Sequence, residues 1–318
     1  MRQEEEVRTV RIPIPSADAG LSRRVRVETP GNAPLRKPVP ADDPLVLPEP
    51  AGDDTSTANG RTPVSITLRL SGQPWPVRLS VADRQARLSE LVPVARWMAD
   101  LVMQDSIRWA RDSGRPVSCR KGCAACCRYL VPLSAPEAAW LAGEIDALPS
   151  WVRRHVQQDL AAVGRRIIQA GPPTLPQPSS AGPAGQATTP AGAAGEWYSR
   201  LKITCPLLRG DCCALYSRRP LACREHLVTS SPDACKGLAP GRGDLLQTPL
   251  SVLNALAALT AELEQAPLEA VIFPLVLAWR EVNADRDRRT WPAVRLVERF
   301  LALLAAQGEP ASKHQSAA

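Results

Sequence analysis

All nine cysteines of this 318-residue chain fall in two short stretches, and that placement constrains the fold more than any other feature. The first stretch is Cys119-Arg-Lys-Gly-Cys123-Ala-Ala-Cys126-Cys127. The second holds Cys205, Cys212, Cys213, Cys223 and Cys235, shaped by Pro206, Gly210 and Pro220 into a loop. Thiolates confined to a small volume repel one another. A fold that gathers both stretches therefore calls for a bound metal, which removes the repulsion and adds folding energy. Ordinary buried thiols and a disulfide scaffold are the alternatives. The odd cysteine count argues against full pairing. Only three histidines accompany the sulfurs, so a histidine-rich catalytic metal site is excluded.

Cys123 and Cys126 have the two-residue spacing that lets a turn aim both sulfurs at one ion, and Cys119 is close enough to join them. The expected ligand set is Cys119, Cys123, Cys126, Cys127, Cys205, Cys213, Cys223 and Cys235, holding zinc or an iron–sulfur cluster. Cys212, beside Cys213, is the sulfur most readily spared. Arg219 and Arg224 lie among several cationic residues near the sulfurs and are candidates for binding an anionic cofactor or donating to sulfur. His226 is a candidate nitrogen ligand or neighbour of the site, with a plain packing role as the alternative. No glycine-rich phosphate loop, nucleophile elbow or His-Glu-x-x-His occurs.

The rest of the chain reads as mainly α. Residues 1–62 are proline-rich and are expected to be a disordered arm. Residues 63–310 are read as one mainly helical domain with a cysteine core at 115–240. A flexible linker of mostly Gly, Pro, Ala, Ser and Thr over 171–195 interrupts that core. Residues 311–318 are expected to be a disordered tail. Alternation at Ser65–Leu70, a Ser71-Gly72-Gln73 turn and a return at Trp75–Leu79 predict a small β-hairpin. Helical periodicity runs from about Leu88 to Trp109, with Pro93 either starting or kinking a helix. Ser134 and Glu137 have capping-box spacing ahead of a second helix. A third spans about 150–170, and further helices are predicted near 253–263, 271–282 and 291–306. The predicted fold class is thus a helical domain in which two cysteine-rich loops converge on a metal site, plus the hairpin.

The start, Met-Arg-Gln-Glu-Glu-Glu, has no apolar stretch behind it and does not read as a secretory signal. The longest apolar run, Ala270–Trp279, is interrupted by Pro274 and is too short to span a bilayer. A soluble, cytoplasmic protein with no membrane partner is expected. The net charge of +7 comes without a basic run interleaved with aromatics, so nucleic acid is not an expected partner.

The cysteine pattern resembles the YkgJ-type cysteine-cluster family, catalogued as zinc- or iron-chelating proteins with a CxxCxxCC domain. Cys119-x₃-Cys123-x₂-Cys126-Cys127 resembles its signature. Cys205-Pro206-Leu207-Leu208 is similar to its Cys-Pro-Phe-Leu, Cys213-Ala-Leu-Tyr216 to its Cys-Ser-Ile-Tyr, and Arg219-Pro220-x₂-Cys223-Arg224 to its Arg-Pro-x₂-Cys-Arg. The first gap is three residues where the family name implies two. The resemblance covers about residues 115–240 and implies metal or cluster binding for structure or metal handling. It also implies a similarity to flagellin lysine-N-methylases, and hence an alternative as a cluster-dependent enzyme such as a protein-modifying methyltransferase acting on a protein substrate. A third reading is a thiol redox sensor or binding module, in which nearby arginines lower cysteine pKa values.

Overall fold

The computed structural model describes residues 45–48, 60–172, 190–237 and 243–308. Most of the expected arm, the 173–189 part of the expected linker and the expected 311–318 tail lie outside the described residues.

The chain folds into helices with one three-stranded antiparallel sheet and three two-residue pairings. β1 (Val46–Pro48) pairs with β3 (Gln73–Ala82), which pairs in turn with β2 (Arg61–Leu70). Ser71 and Gly72 close the β2–β3 hairpin with φ of 47° and 79°. Positive φ at both central residues is the type I′ geometry that matches the twist of two-residue hairpins. Val64, Leu68 and Leu70 alternate inward with Val77, Leu79 and Val81, while Ser65, Thr67, Arg69 and Arg78 face out. β1 falls inside the stretch expected as an arm. Three residues carry no periodic signal, and its place comes from filling the free edge of β3 while Leu45 and Val46 become buried.

β4 (Gln85–Ala86) and a 3-10 turn at Leu88–Leu91 lead into α1 (Val92–Asp112). Pro93 sits in the first turn of α1, where its missing N–H costs nothing, so it starts the helix and does not kink it. β5 (Pro132–Leu133) precedes α2 (Ala135–Asp146), and α3 spans Ser150–Ala170. α4 (Pro190–Arg200) begins within the expected linker. Its Ala194, Trp197 and Tyr198 bury against Ile167, Ile203 and Ile272, an anchor the alanine-rich composition conceals.

A small hairpin of β6 (Leu208–Arg209) and β7 (Cys212–Cys213) turns at Gly210, φ 57°. The short helices α5 (Leu221–Glu225) and α6 (Pro232–Lys236) follow, then α7 (Val252–Glu264). The two expected C-terminal helices each open on a short strand. β8 (Val271–Ile272) pairs with β5, and α8 (Val276–Val282) and α9 (Ala284–Asp287) come after it. β9 (Trp291–Pro292) pairs with β4 ahead of α10 (Ala293–Ala306). Pro274 and Pro292 stand where these helices cannot yet run.

The largest core packs the inner hairpin face (Leu68, Leu79) against α1 (Met98), α7 (Leu256) and α10 (Phe300, Leu304). A second core joins α2, the start of α3 and α8 through Leu141, Ile145, Val156 and Trp279. α1 and α2 thus belong to different cores, and the space between their exposed flanks is where the cavity described below lies. No helix among the described residues is long and apolar enough to cross a membrane.

Candidate functional site

The first cysteine stretch is a series of tight turns between α1 and β5. Cys123 N–H donates to Arg120 O and Cys127 N–H to Ala124 O, both at 3.0 Å, with Gly122 at φ 88°. The second stretch lies beside it. Cys205 N–H donates to Cys127 O at 2.7 Å, Ser118 N–H to Val228 O at 3.0 Å, and the Tyr129 hydroxyl to Cys235 O at 2.6 Å. The loops are therefore joined by backbone.

The sulfurs within them divide between two packing groups. Cys119 Sγ accepts the Val228 N–H at 3.3 Å. Cys235 is buried with Ala125 and Val228, and Cys119 and Cys123 pack on the edge of that group. Cys205 and Cys213 pack instead on the core containing Leu207 and Leu215. Cys126 shares a hydrogen bond with Cys127, and Cys212 is exposed on β7. Cys205 and Cys223 feel the charges of thiols from both stretches, Cys126 among them. Such influence reaches about 10 Å, well beyond a zinc–sulfur bond of ~2.3 Å.

Among the described residues, no group of three or more His, Cys, Asp or Glu side chains is placed to hold a metal ion. This corrects the central expectation. Cys119, Cys123, Cys126, Cys127, Cys205, Cys213, Cys223 and Cys235 do not form a zinc or iron–sulfur centre, and the two loops do not converge on one. The cofactor, the metal partner and the metal-handling function fall with it, as does the cluster-dependent enzyme. All nine cysteines are free thiols.

For Cys119, Cys126, Cys205, Cys213, Cys223 and Cys235 the electrostatics runs against the redox-sensor alternative. It required thiol pKa values lowered by arginine. Arg219 does favour the thiolates of Cys119, Cys126 and Cys213, but all three are raised, Cys119 and Cys213 chiefly by burial and Cys126 first by its hydrogen bond with Cys127 and then by burial. Burial pushes Cys205 up to about 11, with the neighbouring Cys213 and Cys126 acting in the same direction. Cys223 and Cys235 are raised by burial as well. These thiols stay protonated at neutral pH and are poor nucleophiles. Neutral thiols also relieve the repulsion that a metal was expected to relieve.

The arginine candidates are occupied. Arg224 is 7 % exposed, ion-paired with Asp100, and donates to Ser217 O at 2.5 Å and Arg219 O at 3.3 Å. Arg219 lies over the Tyr216 ring at 4.7 Å. His226 packs edge-on against Tyr129, and burial lowers its pKa, so the imidazole is neutral.

The concave feature lies elsewhere. A cavity of about 470 Å³ opens between β1, α1 and α2. Its apolar wall includes Leu45, Val46, Leu79, Val94, Trp97 and Trp140. Gly143 also lines it, and a Cβ added there would meet no atom within 4 Å, so the glycine leaves room. Arg96 lies over Trp140 with its guanidinium 4.5 Å from the ring centroid, which helps hold the indole in place. Burial lowers Arg96 to about 10, so it stays cationic at neutral pH.

Charged residues complete the lining. Glu90 accepts Arg84 Nη2 at 2.8 Å and the Arg87 amide at 3.0 Å. Burial alone would raise the Glu90 carboxyl, but these donors hold it below its ordinary value. Glu144 is ion-paired with Arg218 at 2.5 Å, and Arg280 is ion-paired with Asp146. Arg87 Nη1 stands 3.8 Å from Asp287. The sequence reading missed this site. Its lining comes from positions as far apart as Leu45 and Asp287, and its one local hint is a glycine inside the otherwise regular α2.

No family model, curated protein or solved structure matches this chain. The resemblance to the YkgJ-type proteins thus rests on the cysteine spacing and the short motifs around it, and the arrangement of the sulfurs contradicts it.

Proposed function

We propose that this protein binds a small, largely apolar molecule in the cavity between β1, α1 and α2. The observation that carries the reading is a cavity of about 470 Å³ whose lining combines two indoles and aliphatic side chains with a set of charged residues that are mostly paired with one another. Ligand sites are typically concave, about 300–1,000 Å³, apolar within and sparingly polar at the edge. Trp97 and Trp140 offer flat, polarisable surface to an aromatic ligand. The cysteine loops supply a reduced, uncharged packing layer in this reading and take no part in binding. We place the protein in the cytoplasm, because nine unpaired thiols suit a reducing compartment.

The test is calorimetric titration of the full chain with 3-methylindole, a neutral planar probe. Saturable binding is expected, accompanied by a rise in Tm. An added Cβ at Gly143 meets no atom within 4 Å, so Gly143→Leu is expected to fill the cavity, keep the parent circular dichroism and Tm, and lose binding. No binding to the parent chain, or equal binding to the Gly143→Leu variant, contradicts the proposal.

A further inference from the structure

The charged groups that line the cavity are not equally engaged, and the difference bears on what the ligand carries. Glu90 holds Arg84 at 2.8 Å, Glu144 holds Arg218 at 2.5 Å and Asp146 holds Arg280. Arg87 and Asp287 differ. Arg87 reaches Glu90 only through Nε at 3.4 Å and Asp287 only through Nη1 at 3.8 Å, and its side chain is half exposed. Neither separation is a good hydrogen bond. A guanidinium has five N–H donors in a planar fork suited to a carboxylate. Arg87 Nη2 has no partner among the described residues. The carboxylate of Asp287 has Arg87 as its one ion-pair partner among them. Both residues line the cavity. An exposed, slack ion pair is worth little, so parting it costs little.

One cation and one anion standing side by side, each under-used, match a ligand head that carries both charges. A simple carboxylate would sit against Asp287, and a simple amine would sit against Arg87. We propose that the cavity takes an aromatic α-amino acid: its ring lies in the apolar well with Trp97 and Trp140, its carboxylate meets Arg87, and its ammonium meets Asp287. This inference rests on the cavity reading above. It adds the head group that the apolar wall alone does not select.

Four probes share one indole ring and separate the two readings. Tryptophan carries both charges, N-acetyltryptophan the carboxylate alone, tryptamine the ammonium alone, and 3-methylindole neither. Calorimetry on the full chain should give tryptophan the tightest binding, by about tenfold over each singly charged probe, the usual scale of one charge-assisted hydrogen bond. Arg87→Gln should bring tryptophan to the affinity of tryptamine. Asp287→Asn should bring it to that of N-acetyltryptophan. Both positions are at the surface, and unchanged circular dichroism and Tm confirm that the variants fold. If 3-methylindole binds as tightly as tryptophan, or either singly charged probe equals it, the head-group assignment is overturned and the cavity reading stands. Failure of 3-methylindole to bind removes the cavity reading itself.

Discussion

Glu137 shows how far burial has remade a single residue. Its spacing from Ser134 marks a capping box, and it does stand in the first turn of α2 beside the Ser134 amide. Yet the Ser134 hydroxyl caps nothing, and one Glu137 oxygen turns away to accept the Leu221 N–H at 2.6 Å. The side chain is fully buried, and that burial raises its pKa to about 8 despite the pull of Leu221 and Arg96. A carboxyl raised in the folded state binds its proton more tightly there than when unfolded. Its stabilising contribution is therefore complete below the ordinary value of 4.5 and is lost as pH rises through about 8. Urea unfolding at pH 5 and pH 9 should show the parent chain losing more stability than Glu137→Gln over this interval. The expected gap is about 2–4 kcal/mol, and equal losses would contradict the assignment. Arginines offer a second contrast at this scale. Removing Arg224 leaves Asp100 and two carbonyls without their buried donor and should cost about 3 kcal/mol. Arg87→Gln should cost under about 1 kcal/mol. Comparable losses in the two variants would show that Arg224 is not the structural tie described.

Elements were legible in the sequence where local chemistry decides them. The β2–β3 hairpin followed from strict alternation around a Ser-Gly pair, and α1, α2 and α3 from apolar periodicity with proline in the first turn or a following glycine. Gly72 at φ 79° should tolerate Ala poorly, losing about 1 kcal/mol, whereas Gly143→Ala in α2 should gain up to about 1 kcal/mol because no neighbour opposes the new methyl. Thermal unfolding of both variants checks the opposite signs. Elements defined by distant partners were not legible. β1, the β4–β9 pair and the β5–β8 pair are two or three residues long and exist because remote segments meet there. α4 was concealed by a composition that also makes linkers, until Trp197 and Tyr198 found a core.

At the scale of the whole molecule, the cysteines were the most conspicuous signal and the least reliable guide. Sequence spacing reports that sulfurs are close along the chain. It does not report which way each Cβ points, and here Cys119, Cys123 and Cys235 pack in one small cluster while Cys205 and Cys213 pack on another core, with Cys119 also accepting a backbone hydrogen bond. The cavity gave the opposite problem, since no stretch of sequence contains it. If the thiols are protonated packing groups, chelation with excess EDTA should leave Tm within about 1 °C of the untreated protein, because no metal contributes to folding. Iodoacetamide at neutral pH should modify the exposed Cys212 first and the buried Cys235 only on unfolding. A large drop in Tm on chelation, or early labelling of Cys235, would contradict this account of the sulfur.

The account turns on the space between α1 and α2, and a crystal soaked with 5-bromoindole tests it most directly. Bromine scatters anomalously and needs no prior choice of position. The prediction is a single strong anomalous peak in the cavity, beside Trp97 and Trp140 and next to Gly143. A cavity found closed, with the two indoles packed on each other and the bromine elsewhere or absent, would contradict the claim.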